Sequence, residues 1–315
     1  MILMKRLSLS AQSLKCKNFH TCNLMNVKVL QDRGCVNQHQ RIRVLRQTSL
    51  KAPTLCAGLF TNWEYIKQKL KPIADGLFGK QRISRYERPH YEIRQIDYML
   101  ERLAMIPAIE WRHYAFSREP LNGKFTPSQR LEWMHKSIEC GKVYAAKMIS
   151  EFESDDADII ARRLGLEVFY PQYPEKTDRV LFAEFIKPNR INIFMDAVNR
   201  AEKLLRKETV KKILGDNMKP GKLILSHEIF HHIEEKYRHE IFTLTEKIRL
   251  WSIGPLHNDS GIYALGEIAA MSFAQELNHL TYSPYLMDVF LVYDYSPAEA
   301  SGLYEEMMTL AGLEP

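Results

Sequence analysis

Apolar and polar residues recur with helical spacing through the middle of the chain. Beyond Ser128, apolar residues return mostly every three or four positions: Leu131, Met134, Ile138, Ala145, Met148, Ile149 and Phe152. This spacing places them on one face of a helix, and Ser128 is a suitable residue to cap its N-terminus. The pattern therefore predicts one long helix whose apolar face packs into a core.

The residues that follow predict a compact unit of helix and sheet. Asp155–Asp158 opens a short amphipathic helix that ends at Gly165, a residue suited to a helix C-terminus. Three runs with the composition of strands come next: Leu166–Tyr170, Val180–Ile186 and Ile191–Met195. The last two are joined by the hairpin-type connection Lys187-Pro188-Asn189-Arg190. A charged helix follows over Ala197–Leu214, so we predict the α+β class with a small antiparallel sheet.

The same patterns divide the chain into three parts. Residues 1–60 show no periodicity and are predicted to form a basic, flexible segment. Residues 61–130 are predicted to be mainly helical, with helices near Trp63–Leu70 and Tyr91–Met105. Residues 131–315 hold the long helix, the sheet and the chemical motifs, and are expected to form the main domain.

Composition narrows the class of protein. The chain of 315 residues is 45% hydrophobic and 26% charged, which is ordinary for a globular protein. A disordered chain and a disulfide scaffold are therefore not expected. No stretch approaches the ~18 apolar residues that cross a bilayer, so we expect no membrane partner.

Charge is distributed unevenly along the chain. Of the net charge of +6, residues 1–60 contribute +9, from ten Lys and Arg residues against one acid, which leaves −3 for residues 61–315. The body is therefore mildly acidic, and nucleic acid is an expected partner only through the basic segment.

Cysteine usage bears on the cellular compartment. Four of the five cysteines lie in the basic segment without the C-x2-C pairs of common zinc sites: Cys16, Cys22, Cys35 and Cys56. The odd total and the lack of an apolar secretory signal favour a reducing, cytoplasmic location. Residues 1–60 are open to three interpretations: a tail, an organelle-targeting segment, or a start assigned too early, since Met4 and Met25 are alternative starts.

An H-E-x-x-H motif carries the strongest chemical signal in the chain. It consists of His227, Glu228 and His231, in a run without internal Pro or Gly that is predicted to be helical. Side chains four residues apart share one helical face, so the two imidazoles can bind one metal ion. Glu228 lies beside that face, where its carboxylate can take a proton from a metal-bound water. An apolar stripe flanks the histidines, so the small sheet is expected to pack against this metal helix.

A catalytic zinc ion usually has three protein ligands, and the sequence offers several residues for the third. Position 237 is Tyr, which excludes the three-histidine metzincin pattern. Glu267 is favoured, because its predicted helix, Gly261–Leu277, carries small residues on the same side. The alternatives are Glu234, His257 and Glu276. The first lies further along the metal helix, the second in a predicted loop, and the third about 180° round the helix from Glu267.

Two further segments resemble a known enzyme family. The run Ile160-Ala161-Arg162-Arg163-Leu164-Gly165-Leu166-Glu167-Val168 is similar to a helix-to-strand unit of the ImmA/IrrE-type zinc metallopeptidases. The pattern Glu267-x-x-Ala270-x-x-Phe273-Ala274 is similar to the helix that follows their H-E-x-x-H helix. The resemblance extends over about half of the chain, roughly residues 137–293.

The resemblance implies a gluzincin-like peptidase with one zinc ion and a protein or peptide substrate. His227, His231 and Glu267 would be its ligands, and Glu228 would activate the metal-bound water that attacks the peptide bond. Further candidates for stabilising the oxyanion or supporting the ligands are Tyr263, His257 and His279. A second class of function remains open, a non-hydrolytic sensor or regulatory protein that uses the same fold as a metal- or ligand-dependent switch.

Overall fold

The computed structural model describes residues 91–174 and 181–315, together with the two-residue strand Cys22–Asn23. The predicted helix near Trp63–Leu70, the flexibility expected of residues 1–60 and the cysteine spacing in that segment lie outside the described residues. The described part is a mixture of helices and small sheets, which confirms the predicted α+β class.

The described residues form eleven α-helices and six strands. The helices are α1 Ile96–Ala104, α2 Arg112–Ser117, α3 Pro127–Phe152, α4 Ala157–Arg163, α5 Met195–Leu205, α6 Glu208–Leu214, α7 Pro220–Lys236, α8 Phe242–Thr245, α9 Tyr263–Leu277, α10 Met287–Tyr293 and α11 Pro297–Leu310. The strands are β1 Cys22–Asn23, β2 Glu167–Phe169, β3 Ala183–Ile186, β4 Arg190–Ile193, β5 Lys247–Ile253 and β6 Leu256–Gly261.

The long predicted helix is α3, but its N-terminal cap is not Ser128. Thr126 caps the helix, because its side chain accepts a hydrogen bond from the backbone N–H of Gln129. The Gln129 side chain in turn accepts one from the backbone N–H of Thr126. Pro127 occupies the first helical position, where its missing N–H costs nothing. Three of the predicted core positions, Met134, Ala145 and Met148, are buried, whereas Leu131 is 42% exposed.

The charged helix predicted over Ala197–Leu214 is in fact two helices, α5 and α6, separated at Arg206 and Lys207. On one continuous helix Val210 would lie roughly 240° round the axis from Leu204. Both side chains are nevertheless buried. The break allows the two apolar faces, which differ in direction, to reach the same core.

The first sheet contains both kinds of strand pairing. β3 and β4 form the predicted antiparallel hairpin, with Phe185 opposite Ile191. β2 pairs with β4 in parallel, with Val168 opposite Ile191, so the expected all-antiparallel sheet is corrected at this pairing. The reason is the chain path, since β3 reverses the direction of the chain and β4 then runs the same way as β2. β1 lies antiparallel to β3 on its other edge.

One hydrophobic core of the described part of the chain contains buried residues from α1, from α11 and from most of the helices between them. Helix α7 contacts β3 and β4 of the sheet on one side and α9 on another, as the sequence predicted for the metal helix. Helix α9 also packs closely against α3. None of the helices in the described ranges has the length and apolar character required to cross a membrane.

Candidate metal centre

Helix α7 is buried along the whole of its H-E-x-x-H motif. Pro220 begins the helix, and every residue from Leu223 to His231 is buried, so this segment is covered on all sides rather than on one face. A helix buried all round lies in the core of its domain. The polar side chains of the motif must therefore find their partners inside the protein.

The side chains of His227, His231 and Glu267 converge on one point. The two histidine Nε2 atoms lie 3.1 Å apart. Glu267 Oε2 is 3.5 Å from His227 Nε2, and Glu267 Oε1 is 3.5 Å from His231 Nε2. The three side chains are only 1–3% exposed. The structure thus brings together the three residues that the sequence predicted as ligands, one of them from a second helix.

The spacing of these donor atoms is compatible with a tetrahedral metal site. Zinc bonds of about 2.0–2.2 Å hold tetrahedral donor atoms roughly 3.3–3.6 Å apart. The observed separations of 3.1 and 3.5 Å lie close to that range. Within the described residues, this trio is the group of His, Cys, Asp and Glu side chains whose donor atoms could hold a metal ion.

Small residues on α9 allow Glu267 to approach α7 closely. Every residue of α9 from Ala264 to Ala274 is buried, and Gly266, Ala269 and Ala270 are among them. Such residues leave room between two helix backbones. The short carboxylate of Glu267 consequently lies against the histidines instead of extending into solvent.

Burial keeps the His227 imidazole in its neutral form, which can bind a metal. It lowers the pKa of His227 to about 3, so this imidazole is neutral and offers a lone pair at physiological pH. Burial alone would raise the pKa of the Glu267 carboxyl, but its contacts with His227 and His231 hold that pKa below its usual range. Two neutral imidazoles and one carboxylate are the donor set of known catalytic zinc sites.

Glu228 is the second buried carboxyl of the site, besides Glu267. It is fully buried, which raises the pKa of its carboxyl to about 8. Neither oxygen has a hydrogen-bond partner among the described residues. A dication held by the neighbouring ligands would offset the cost of burying this group and favour its ionised form. The residues at this site therefore fit a divalent metal.

Glu234 has a contact that the sequence did not reveal. As a ligand it was disfavoured, and the structure places it on the outer nitrogen of a ligand instead, with Oε2 3.5 Å from His231 Nδ1. The available signal was its position three residues after His231, on the same side of the helix. Spacing alone could not tell a metal ligand from the partner of one.

The other residues considered for the site lie elsewhere. His257 is on strand β6 rather than in a loop, 3.5 Å from Asp259 and half exposed. His279 follows α9 and lies 2.8 Å from Asp155. Glu276 faces Lys142 at 3.8 Å on the surface. Tyr263 begins α9 one turn before Glu267 and is 51% exposed.

No family model, curated protein or solved structure matches this chain.

Proposed function

We propose that this protein is a zinc-dependent peptidase in which His227, His231 and Glu267 hold one zinc ion. The observation that supports this most strongly is the convergence of their side chains, with the two Nε2 atoms 3.1 Å apart and a Glu267 oxygen 3.5 Å from each, in a buried cluster that includes a second carboxyl, Glu228. Three protein ligands leave one coordination position for chemistry, as in catalytic rather than structural zinc sites.

The roles of the residues follow from their chemistry. A bound zinc ion would supply Lewis acidity, activating a water molecule and polarising a substrate carbonyl. Glu228 would accept the proton of the attacking water and deliver it to the departing nitrogen. This carboxyl has no competing hydrogen-bond partner among the described residues, so it is available for proton transfer. His227, His231 and Glu267 would hold the metal, and burial keeps the His227 imidazole neutral near neutral pH because it lowers its pKa to about 3.

The peptide substrate and the family are part of the same proposal. They rest on the similarity of the H-E-x-x-H helix and the Glu267-x-x-Ala270-x-x-Phe273-Ala274 helix to ImmA/IrrE-type zinc metallopeptidases. The cytoplasmic location rests on cysteine usage.

Metal analysis combined with a peptide-cleavage screen tests the proposal. We expect one zinc ion per purified chain and cleavage that is lost with a chelator and restored by zinc. Glu228→Gln should bind zinc equally but cleave nothing, which separates catalysis by this site from a contaminating protease. A chain that binds no divalent metal would contradict the proposal.

One observation favours a second candidate, a non-hydrolytic metal-dependent sensor. The side chains of His227, Glu228, His231 and Glu267 are at most 3% exposed, whereas a peptide must reach the metal to be cleaved. A sensor needs no such access. Stoichiometric zinc without cleavage of any peptide in the screen, together with a zinc-dependent change in conformation or partner binding, would favour the sensor over the peptidase.

A further inference from the structure

The carboxylate of Glu234 contacts two side chains, one on its own helix α7 and one on α8. Its Oε1 accepts a hydrogen bond of 2.5 Å from Thr243 Oγ1 on helix α8. Its Oε2 lies 3.5 Å from His231 Nδ1 on α7. The side chain is only 12% exposed. Such a carboxylate is fixed in direction, unlike a solvated glutamate on a helix surface.

Gly266 provides the space that this carboxylate occupies. A Cβ atom at position 266 would lie 2.6 Å from Glu234 Oε1, closer than real contacts allow. Glycine is the least favourable residue in a helix interior apart from proline, and helix α9 nevertheless has it immediately before Glu267. Glu234, on the metal helix α7, therefore packs against α9, the helix of Glu267, at the position of Gly266.

The two histidines differ in their outer contacts. Both direct Nε2 towards the ligand cluster. His231 has Glu234 at its Nδ1, whereas His227 Nδ1 is buried without a hydrogen-bond partner among the described residues. A histidine that binds metal through Nε2 must carry its proton on Nδ1, and a carboxylate there fixes both the tautomer and the ring orientation.

We propose that Glu234 is a positioning residue for the metal centre. It accepts a hydrogen bond from His231 Nδ1 and so holds the Nε2 lone pair on the metal, while Thr243 and Gly266 hold Glu234. This inference rests on the proposed zinc site. It adds a residue that does not touch the metal and that acts on His231 but not on His227.

Zinc affinity, measured by competition with a chelator on the full chain, tests the role of Glu234. Removal of such a partner typically weakens binding about 10–100-fold, and we expect this of Glu234→Ala. Glu234→Gln should recover much of the loss, because its amide oxygen still accepts a hydrogen bond from Nδ1. The matched control is Glu235→Ala, one residue further on, where the side chain pairs with Lys187 and Arg238 at the surface and zinc affinity should not change.

A second pair of variants tests the geometry without altering Glu234. Gly266→Ala should displace the Glu234 carboxylate from this position and weaken zinc binding in the same range as Glu234→Ala. Gly221→Ala, also in a helix, meets only Val198 at 3.6 Å and should leave zinc affinity unchanged. Both substitutions raise helix propensity equally, so a difference between them reports the contact with Glu234.

Nitrogen NMR of the metal-free protein supplies a readout independent of zinc. We expect the His231 imidazole to be protonated on Nδ1 in the wild type and to lose that preference in Glu234→Ala. Circular dichroism shows whether each variant is folded. If Glu234→Ala does not fold, the zinc affinities of Glu234→Gln and Gly266→Ala are compared with that of the wild type instead.

The outcomes separate this inference from the proposed function. A wild-type chain without zinc would overturn both. A wild-type chain that binds zinc, with Glu234→Ala and Gly266→Ala binding it equally well and the His231 tautomer unchanged, would overturn only the role of Glu234 and leave the zinc site standing.

Discussion

At the scale of single residues, the two buried carboxyls of the candidate site have different surroundings. Glu228 and Glu267 are both within 1% of full burial, but only Glu267 contacts the two histidines. A carboxylate in contact with the ligand nitrogens is placed to bind metal, and one beside them is placed to move a proton. Substitutions should therefore separate the two roles.

We predict that Glu228→Gln keeps zinc and stability but abolishes hydrolysis. The amide has nearly the same shape, and it avoids the burial of a charge, which already raises the pKa of Glu228 to about 8. It cannot accept a proton from water. Zinc content, thermal melting and peptide cleavage check the three parts of this prediction, and loss of zinc would instead identify Glu228 as a ligand.

Substitution of Glu267, the proposed third ligand, should weaken metal binding. We expect Glu267→Ala to weaken zinc binding by more than about 100-fold, beyond the usual effect of losing an outer partner of a ligand. Glu276→Ala serves as the control, because its side chain is 43% exposed and faces Lys142 at 3.8 Å. A surface pair of this kind contributes roughly 0–1 kcal/mol and no metal affinity. Equal zinc affinity in the two variants would show that Glu267 is not a ligand.

At the scale of secondary-structure elements, the site depends on how closely two helices approach. Helix α3 packs against α9 at Gly141, where a Cβ atom would lie 2.3 Å from the backbone oxygen of Ala269 and 2.7 Å from Ser272 Cβ. The position of α9 in turn sets the position of Glu267. Contact with backbone cannot be relieved by rotating a side chain, so this approach is sensitive to a single methyl group.

We predict that Gly141→Ala destabilises the protein. The added methyl should cost about 1–3 kcal/mol through overpacking, partly offset by a gain of up to ~1 kcal/mol in helix propensity. Gly221→Ala has the same propensity gain without the clash, since its nearest neighbour is Val198 at 3.6 Å. Urea denaturation of both variants measures the difference, and a midpoint for Gly141→Ala at or above that of Gly221→Ala would contradict the close packing.

At the scale of the whole molecule, the metal centre lies in a core that the described body supplies by itself. Buried residues from Ile96 to Met308 form one cluster around α7 and α9. The described portion of residues 1–60 is the strand Cys22–Asn23, which adds two residues at the edge of the sheet. The basic segment thus makes no described contribution to the ligand set.

We predict that deletion of residues 1–60 leaves folding and zinc content unchanged. Edge pairing of two residues contributes little next to the continuous core. Circular dichroism and metal analysis of the truncated and full chains test this, with the full chain as reference. If the truncated protein fails to fold or loses its zinc, the cysteines of the basic segment must be reconsidered as structural or metal-binding residues.

Local pattern was sufficient for the parts of the fold that depend on neighbours in sequence. The three- and four-residue periodicity predicted α3, and the i, i+4 spacing placed His227 and His231 on one side of α7, because helical geometry is the same wherever a helix occurs. Glu267 was found as well, since its helix carries a run of small residues that permits close approach.

The remaining features were decided by tertiary contacts, for which a single sequence has no local signal. The parallel pairing of β2 with β4 follows from the path of the chain, which reverses at β3, and the break between α5 and α6 follows from two apolar faces that had to reach one core. From its spacing Glu234 was only a disfavoured candidate ligand, and its contact with His231 depends on Thr243 and Gly266, which come from two other helices. The sequence by itself therefore determined which side chains can bind a metal, and the packing of α7 against α8 and α9 decided which of them meet and which group holds them there.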